Sequence, residues 1–150
     1  MGQIAAILEL ARRRGEAKGL SYTGEVTPSE AWTLLQNAPG TVLVDVRSHA
    51  EWVWVGRVPN AIEIEWMHWP ERTANTNFLK QLETQVDKEA LVLFLCRSAQ
   101  RSHLAAMLAV ENGYNQCYNI LEGFEGDRDA SQQRGSIGGW RKAGLPWSQS

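Results

Sequence analysis

Only two cysteines, Cys96 and Cys117, occur among the 150 residues, too few for the disulfide framework of a small secreted protein. A reducing, cytoplasmic compartment is therefore expected. An excess of one charge is lacking too: fifteen Lys and Arg stand against seventeen Asp and Glu, a formal net charge of −2. Dedicated nucleic-acid and polybasic membrane-surface proteins carry a strong cationic excess, so neither partner is expected and any anion binding must be local. Long apolar runs are absent as well. The longest uncharged one, Ala90 to Cys96, is far short of the roughly 20 residues that cross a bilayer. Glu9 interrupts the apolar N-terminal stretch, which has no basic leader, so no signal peptide is expected. His49, His68 and His103 have no ligand-spaced Cys or acidic partners, so neither a metal nor a cofactor is expected. What remains is an ordinary globular chain, 43% hydrophobic, long enough to bury roughly 68–70% of its unfolded surface without staples.

Ile4, Ile7, Leu8 and Ala11 recur at helical spacing and lead into Arg12-Arg13-Arg14 and Gly15. Residues 4–14 read as an amphipathic helix whose cations solvate its last turn and favour its dipole. Thr27-Pro28-Ser29-Glu30 combines a capping hydroxyl, a first-turn Pro and a Glu three residues after the cap, which starts a second helix. The run from Thr41 to Val46 and the run Leu91 to Leu95 are apolar without alternation, as strands buried on both faces are. Shorter strands are expected at residues 61–64 and 117–121, and helices at 78–86 and 99–112, where Leu104, Met107 and Leu108 share a face. Parallel crossovers use helices, so the alternation predicts an α/β fold: a central, mostly parallel sheet of about five strands covered on both sides, plus an N-terminal helix. Residues 1–24 read as a helical extension and residues 25–150 as the domain. Gly123 to Gly139 is the least regular stretch and reads as a long loop.

Ligands of open α/β sheets bind beyond the carboxyl ends of strands. One such junction stands out, Cys96-Arg97-Ser98-Ala99-Gln100-Arg101-Ser102. Backbone N–H groups of a tight turn, the positive end of the following helix and the charges of Arg97 and Arg101 all favour a thiolate there. Cys117 has no basic neighbours and reads as structural; a disulfide between the two cysteines requires their strands to adjoin in register. Asp45 and Arg47 sit at another strand end, where a mutual structural pairing is favoured over a general base at Asp45. Four of the seven tryptophans, Trp52, Trp54, Trp66 and Trp69, crowd the middle of the chain. Trp66-Met67-His68-Trp69 is a candidate wall of a substrate mouth, with core packing as its alternative.

Four segments in order resemble the single-domain rhodanese-like sulfurtransferases, over most of residues 25–147. Leu43 to Arg47 with Glu51-Trp52 is similar to the first motif of that family. Gly56-Arg57-Val58-Pro59-Asn60-Ala61 resembles a Gly-His-Ile-Pro-Gly-Ala turn, with Arg57 and Asn60 as departures. Cys96 to Ser102 resembles the active-site loop, with Ala99 where glycine is common, and Gly138-Gly139-Trp140 with Ala143-Gly144-Leu145-Pro146 resembles the C-terminal signature. The resemblance implies an enzyme in which Cys96 takes a sulfane sulfur from thiosulfate or a related anionic donor. A thiol, a protein or, in an assay, cyanide would then accept it. It also implies Arg97, Ser98, Ala99, Gln100, Arg101 and Ser102 as the anion-binding loop, Arg101 as a cation for the donor, and Asp45 and Arg47 as supports. Residues 125–137 are an apparent insertion that either folds over the loop or is merely solvated.

Three other readings compete. A cysteine phosphatase or arsenate reductase uses the same device but places one more residue between cysteine and arginine than the four found here. A non-catalytic interaction module commonly loses the cysteine that this chain keeps. A redox sensor would form a stable sulfenic acid or disulfide under mild peroxide.

Overall fold

A computed structural model describes residues 2–150. In chain order the elements are α1 (Gly2–Lys18), β1 (Gly24–Val26), α2 (Pro28–Asn37), β2 (Val42–Asp45), α3 (His49–Trp54) and β3 (Ile62–Glu63). There follow β4 (Met67–His68), β5 (Thr73–Ala74), α4 (Phe78–Gln85), β6 (Leu91–Leu95), α5 (Gln100–Glu111) and β7 (Gln116–Ile120). Five strands form one sheet in the order β1-β7-β6-β2-β3, and every pairing in it is parallel. The expected α/β sheet with an N-terminal helix is what forms. β4 and β5 pair separately as an antiparallel hairpin.

Burial on two faces explains the apolar runs. Leu43, Leu93 and Leu95 point to the layer made by α1, α2 and the C-terminal segment, with Leu34, Phe124 and Trp140. Val44, Val92 and Phe94 point to the opposite layer, with Phe78 and Leu82 of α4 and Ala105, Ala106 and Ala109 of α5. The cap of α2 is the expected one: Glu30 N–H donates to Thr27 Oγ1 at 3.2 Å, and Thr27 N–H donates to Glu30 Oε1 at 2.9 Å. α3 begins with a second box of this kind, Ser48 with Glu51, which nothing in the sequence reading had singled out.

One expectation is corrected. α1 runs to Lys18, so Arg12, Arg13 and Arg14 lie inside the helix and not in its last turn. Arg12 and Arg13 pair with Glu9 one turn back, whereas half-buried Arg14 makes a two-pronged bond to Glu30 at 2.7 and 3.0 Å and donates to Glu25 O at 2.8 Å. The triplet is thus partly a tether between α1, β1 and α2. The helix can lie this close because Gly15 has no side chain; a Cβ there would meet Thr23 O at 2.8 Å. In α5 the face turned to the sheet is Ser102, Ala105, Ala106 and Ala109, while Leu104 is 47% exposed. Small residues let α5 approach β6 and β7, and the longer side chains are pushed to its rim.

Candidate active site

The carboxyl ends of β2, β6 and β7 adjoin, because Asp45 is in register with Leu95 and Phe94 with Asn119. Cys96 leaves β6 at this edge. The chain after β7 folds back under the turn, where Phe124 N–H donates to Cys96 O at 2.8 Å and Glu125 N–H donates to Arg97 O at 3.0 Å. Gly123 makes that approach possible, since at φ +68° a Cβ would come within 2.5 Å of the Arg97 carbonyl. The turn is therefore held from below and open above.

Cys96 is only 1% exposed, yet it forms part of the floor of a cleft of about 690 Å³. Ala99 N–H donates to its sulfur at 3.1 Å, and Ser102 Oγ lies 3.2 Å away. The Ser102 hydroxyl donates to Asn119 Oδ1 at 2.5 Å, and Asn119 Nδ2 donates to Ala99 O at 3.0 Å. Asn119 thus ties the middle and the C-terminal end of the turn to β7, a role the sequence does not signal. Ala99 itself is left-handed, φ 85° and ψ 2°, at the position where the resemblance expects glycine. An alanine is strained there by about 1–2 kcal/mol. Ala99→Gly is expected to raise the thermal midpoint by about 2–4 °C, as roughly 1 kcal/mol does in a domain of this size; differential scanning calorimetry reads it, and an unchanged or lower midpoint contradicts the strain.

Arg101 lines the cleft, but its guanidinium is gripped by Glu51, with Nη1 to Oε1 at 2.7 Å and Nη2 to Oε2 at 3.0 Å. Glu51 also accepts from Ser48 N–H and from the Ser48 hydroxyl, each at 3.0 Å. Burial alone would raise the Glu51 carboxyl, but Arg101 and then Ser48 outweigh it and hold it at about 2, against an ordinary 4.5. Arg101 is likewise raised: burial opposes its charge, and the bonds and charge of Glu51 overcome that, with Cys96 adding to the effect. A depressed carboxyl stabilises the fold fully above the unfolded pKa of 4.5 and progressively less as pH falls towards 2. Both side chains are about one-fifth exposed, and the shift corresponds to about 3 kcal/mol. The unfolding free energy of wild type should exceed that of Glu51→Gln at pH 6, and the gap should shrink as pH falls through about 2; a gap independent of pH would refute the coupling.

The other expected residues divide into two groups. Arg97, Ser98 and Gln100 line the cleft. Asp45 and Arg47 do not: both are fully buried beneath it, with Arg47 Nη2 to Asp45 Oδ2 at 2.7 Å and Arg47 Nε to Oδ1 at 3.0 Å. Asp45 also accepts Arg47 N–H, so its carboxylate is occupied and faces no substrate. His103 meets the Tyr22 hydroxyl at 2.6 Å through Nδ1. Trp66 packs on Phe78, centroids 5.0 Å apart, whereas Met67, His68 and Trp69 line the cleft with Trp54. The insertion folds over the loop, contributing Glu125, Arg128, Gln132 and Arg134 to the wall. Cys117 is opposite Val92, four residues before Cys96 along β6. At about 3.3 Å per residue that offset is too long for a disulfide, and both thiols are free.

A thiol at a strand-to-helix turn, in an arginine-lined cleft on a five-stranded parallel sheet, fits the rhodanese-like class that the sequence resembles. Residues 27–130 match the rhodanese-like domain, and the chain belongs to that family. It is 33% identical over 125 residues to the uncharacterized protein RC0915 of Rickettsia conorii, a match covering 81% of this chain and 94% of that one. It is 28% identical over 102 residues to the thiosulfate sulfurtransferase GlpE of Haemophilus influenzae, covering 68% and 85%. The crystal structure of Rv0390 from M. tuberculosis superposes with a TM-score of 0.80 at 44% identity, over 87% of this chain and all of that one.

Proposed function

We propose that the protein is a sulfurtransferase that carries a sulfane sulfur on Cys96. The Cys96 thiolate attacks the outer sulfur of thiosulfate or a related donor; the donor S–S bond breaks, sulfite leaves with the bonding pair, and a persulfide remains on the enzyme. A thiophilic acceptor, a thiol or protein in the cell or cyanide in vitro, then attacks the terminal sulfur and Cys96 departs as thiolate. The observation that carries this reading is the placement of the Cys96 sulfur, under a backbone N–H at the floor of an arginine-lined cleft. Anionic donor and anionic persulfide are both suited by such a cradle. In this reading Arg97, Ser98 and Gln100 face the anion, the Ala99 N–H and the Ser102 hydroxyl face the Cys96 sulfur, and Arg101 shapes the cradle from its Glu51 clamp. Asp45 and Arg47 support the loop from below. The similarity to a thiosulfate sulfurtransferase supports the reading. Residues 1–24 are then an extension docked on the catalytic domain, residues 25–150, and two free thiols suit a reducing cytoplasm.

The test is the intact mass after brief incubation with thiosulfate. A gain of about 32 Da that reductant removes is the expected persulfide; no gain with thiosulfate, organic persulfides or 3-mercaptopyruvate would refute the proposal in favour of a binding module.

A further inference from the structure

We propose that the cleft over Cys96 selects an organic persulfide bearing anionic groups remote from its sulfur, with residues 125–137 as the selecting element. This rests on the sulfurtransferase reading and specifies its donor. Size is the first argument. Liquid water occupies about 30 Å³ per molecule, so an anion of a few heavy atoms fills a minor part of about 690 Å³. A volume in this range suits an organic ligand with a body of its own.

The walls give the chemistry of that body. Trp54 is 78% exposed and Trp69 is 55% exposed, and both face this cleft. Exposed large aromatics gathered at one concavity mark a binding surface. Charge is the second feature. Setting aside the paired Arg101 and Glu51, the lining holds Arg72, Arg97, Arg128 and Arg134 against Glu125 alone, on a chain whose net charge is −2. Among the described residues, neither Arg97 nor Arg128 takes part in an ion pair, and Arg134 spends one nitrogen on Gly126 O at 2.7 Å. These cations are available to a ligand.

The insertion is also a built feature. Asp129 Oδ1 accepts the N–H groups of Ser131 and Gln133 at 2.8 and 2.9 Å, and its Oδ2 accepts the Ser136 hydroxyl at 2.6 Å. That bracing shapes the segment carrying Arg128 and Arg134, while the bond from Glu125 N–H to Arg97 O fixes it to the active loop. The aromatic wall and the arginines then contact the organic part of the donor, and the loop N–H groups face its sulfurs. In the transfer step Cys96 Sγ forms a bond to the terminal sulfur of R–S–SH and the S–S bond of the donor breaks. The pair leaves on R–S⁻, which takes up the proton that the terminal sulfur gives up. The sulfane sulfur moves without change of oxidation level, so no further oxidant is needed.

Rates of Cys96 persulfide formation, read by intact mass on the full chain, test this with four probes: thiosulfate, glutathione persulfide, coenzyme A persulfide and the uncharged 2-hydroxyethyl persulfide. At least one anionic organic persulfide is expected to react about tenfold faster at low concentration than the uncharged one; which it is tells carboxylate from phosphate recognition. Arg128→Glu and the pair Arg128→Ala with Arg134→Ala should cut that ratio about tenfold through KM, and Trp69→Ala should raise KM for both anionic persulfides. Equal rates for charged and uncharged persulfides, or a ratio unmoved by Arg128→Glu in a protein whose melting point is intact, would overturn the proposal. Failure of every donor, thiosulfate included, would instead overturn the sulfurtransferase reading beneath it.

Discussion

Cys96→Ser should gain no sulfur from thiosulfate, while Cys117→Ser gains the same roughly 32 Da as wild type. The contrast follows from where the two thiols lie, not from their chemistry, which is identical in the unfolded chain. Cys117 is fully buried in β7, between β1 and β6, and burial alone pushes its thiol up to about 12. Its sulfur has one polar neighbour, Tyr114 O at 4.0 Å, so neither a donor nor a counter-charge reaches it. Cys96 is almost as buried by area, but its sulfur borders the cleft, takes an N–H bond from Ala99 and lies close enough to Arg101 to act on it electrostatically. A serine at 96 keeps the size of the side chain and loses the nucleophile, because a hydroxyl without a general base is a poor one. Iodoacetamide should discriminate in the same way, modifying wild type once and Cys96→Ser not at all. Sulfur retained by Cys96→Ser, or lost in Cys117→Ser, would put the chemistry on the wrong strand.

Local chemistry was legible in the sequence where it is contiguous. The turn from Cys96 to Ser102 is one stretch of chain, and the capping box of α2 spans four residues, so both announce themselves in order. The buried strands β2 and β6 were legible because burial on two faces removes the polar alternation. Partners distant in sequence were not. Glu51 and Arg101 are 50 residues apart and Asn119 reaches Ser102 across 17, so only the parallel register that brings three strand ends together creates these contacts. The resemblance placed Arg101 as a cation for the donor, and the fold gives most of its charge to Glu51. Short elements were also hidden. β1 spans three residues and β4 and β5 two each, lengths at which periodicity carries no signal. The exposed Leu104 marks a different limit: a shared face of large apolar residues does not say which face of α5 meets the sheet, and against a sheet the smaller face packs closer.

The same clustering reconciles the charge balance with the anion binding proposed for the cleft. A net charge of −2 excluded a broad cationic surface and left a local one as the only route. That locality comes from three separate segments, since Arg101 is paired with Glu51: the hairpin supplies Arg72, the turn after β6 Arg97, and residues 125–137 Arg128 and Arg134. The field is thereby focused in a concavity, where low-dielectric walls strengthen it.

Arg47→Ala is expected to be the most destabilising single change near the site, costing about 3–5 kcal/mol, because it leaves a buried carboxylate without its partner. Arg47 and Asp45 have no solvent exposure, so water cannot replace the lost bonds. The guanidinium also donates to Gly56 O at 2.8 Å and lies 4.1 Å from the centroid of Phe124, and both contacts would go with it. Phe124 N–H holds Cys96 O, so the loss propagates to the floor of the active loop. Domains of this kind are stable by only about 5–15 kcal/mol, and the melting point should fall by about 10 °C at roughly 2–4 °C per kcal/mol. The pairing and its replacement are distinct quantities. Exchanging both partners for apolar residues of similar volume, Asp45→Leu with Arg47→Met, removes the buried charges together and should cost much less than Arg47→Ala alone. If the double variant is less stable than wild type, the ion pair contributes net stability to the fold. If it is at least as stable as wild type, the pair holds the loop in place at some cost to stability, and the double variant should then melt normally while forming the Cys96 persulfide more slowly.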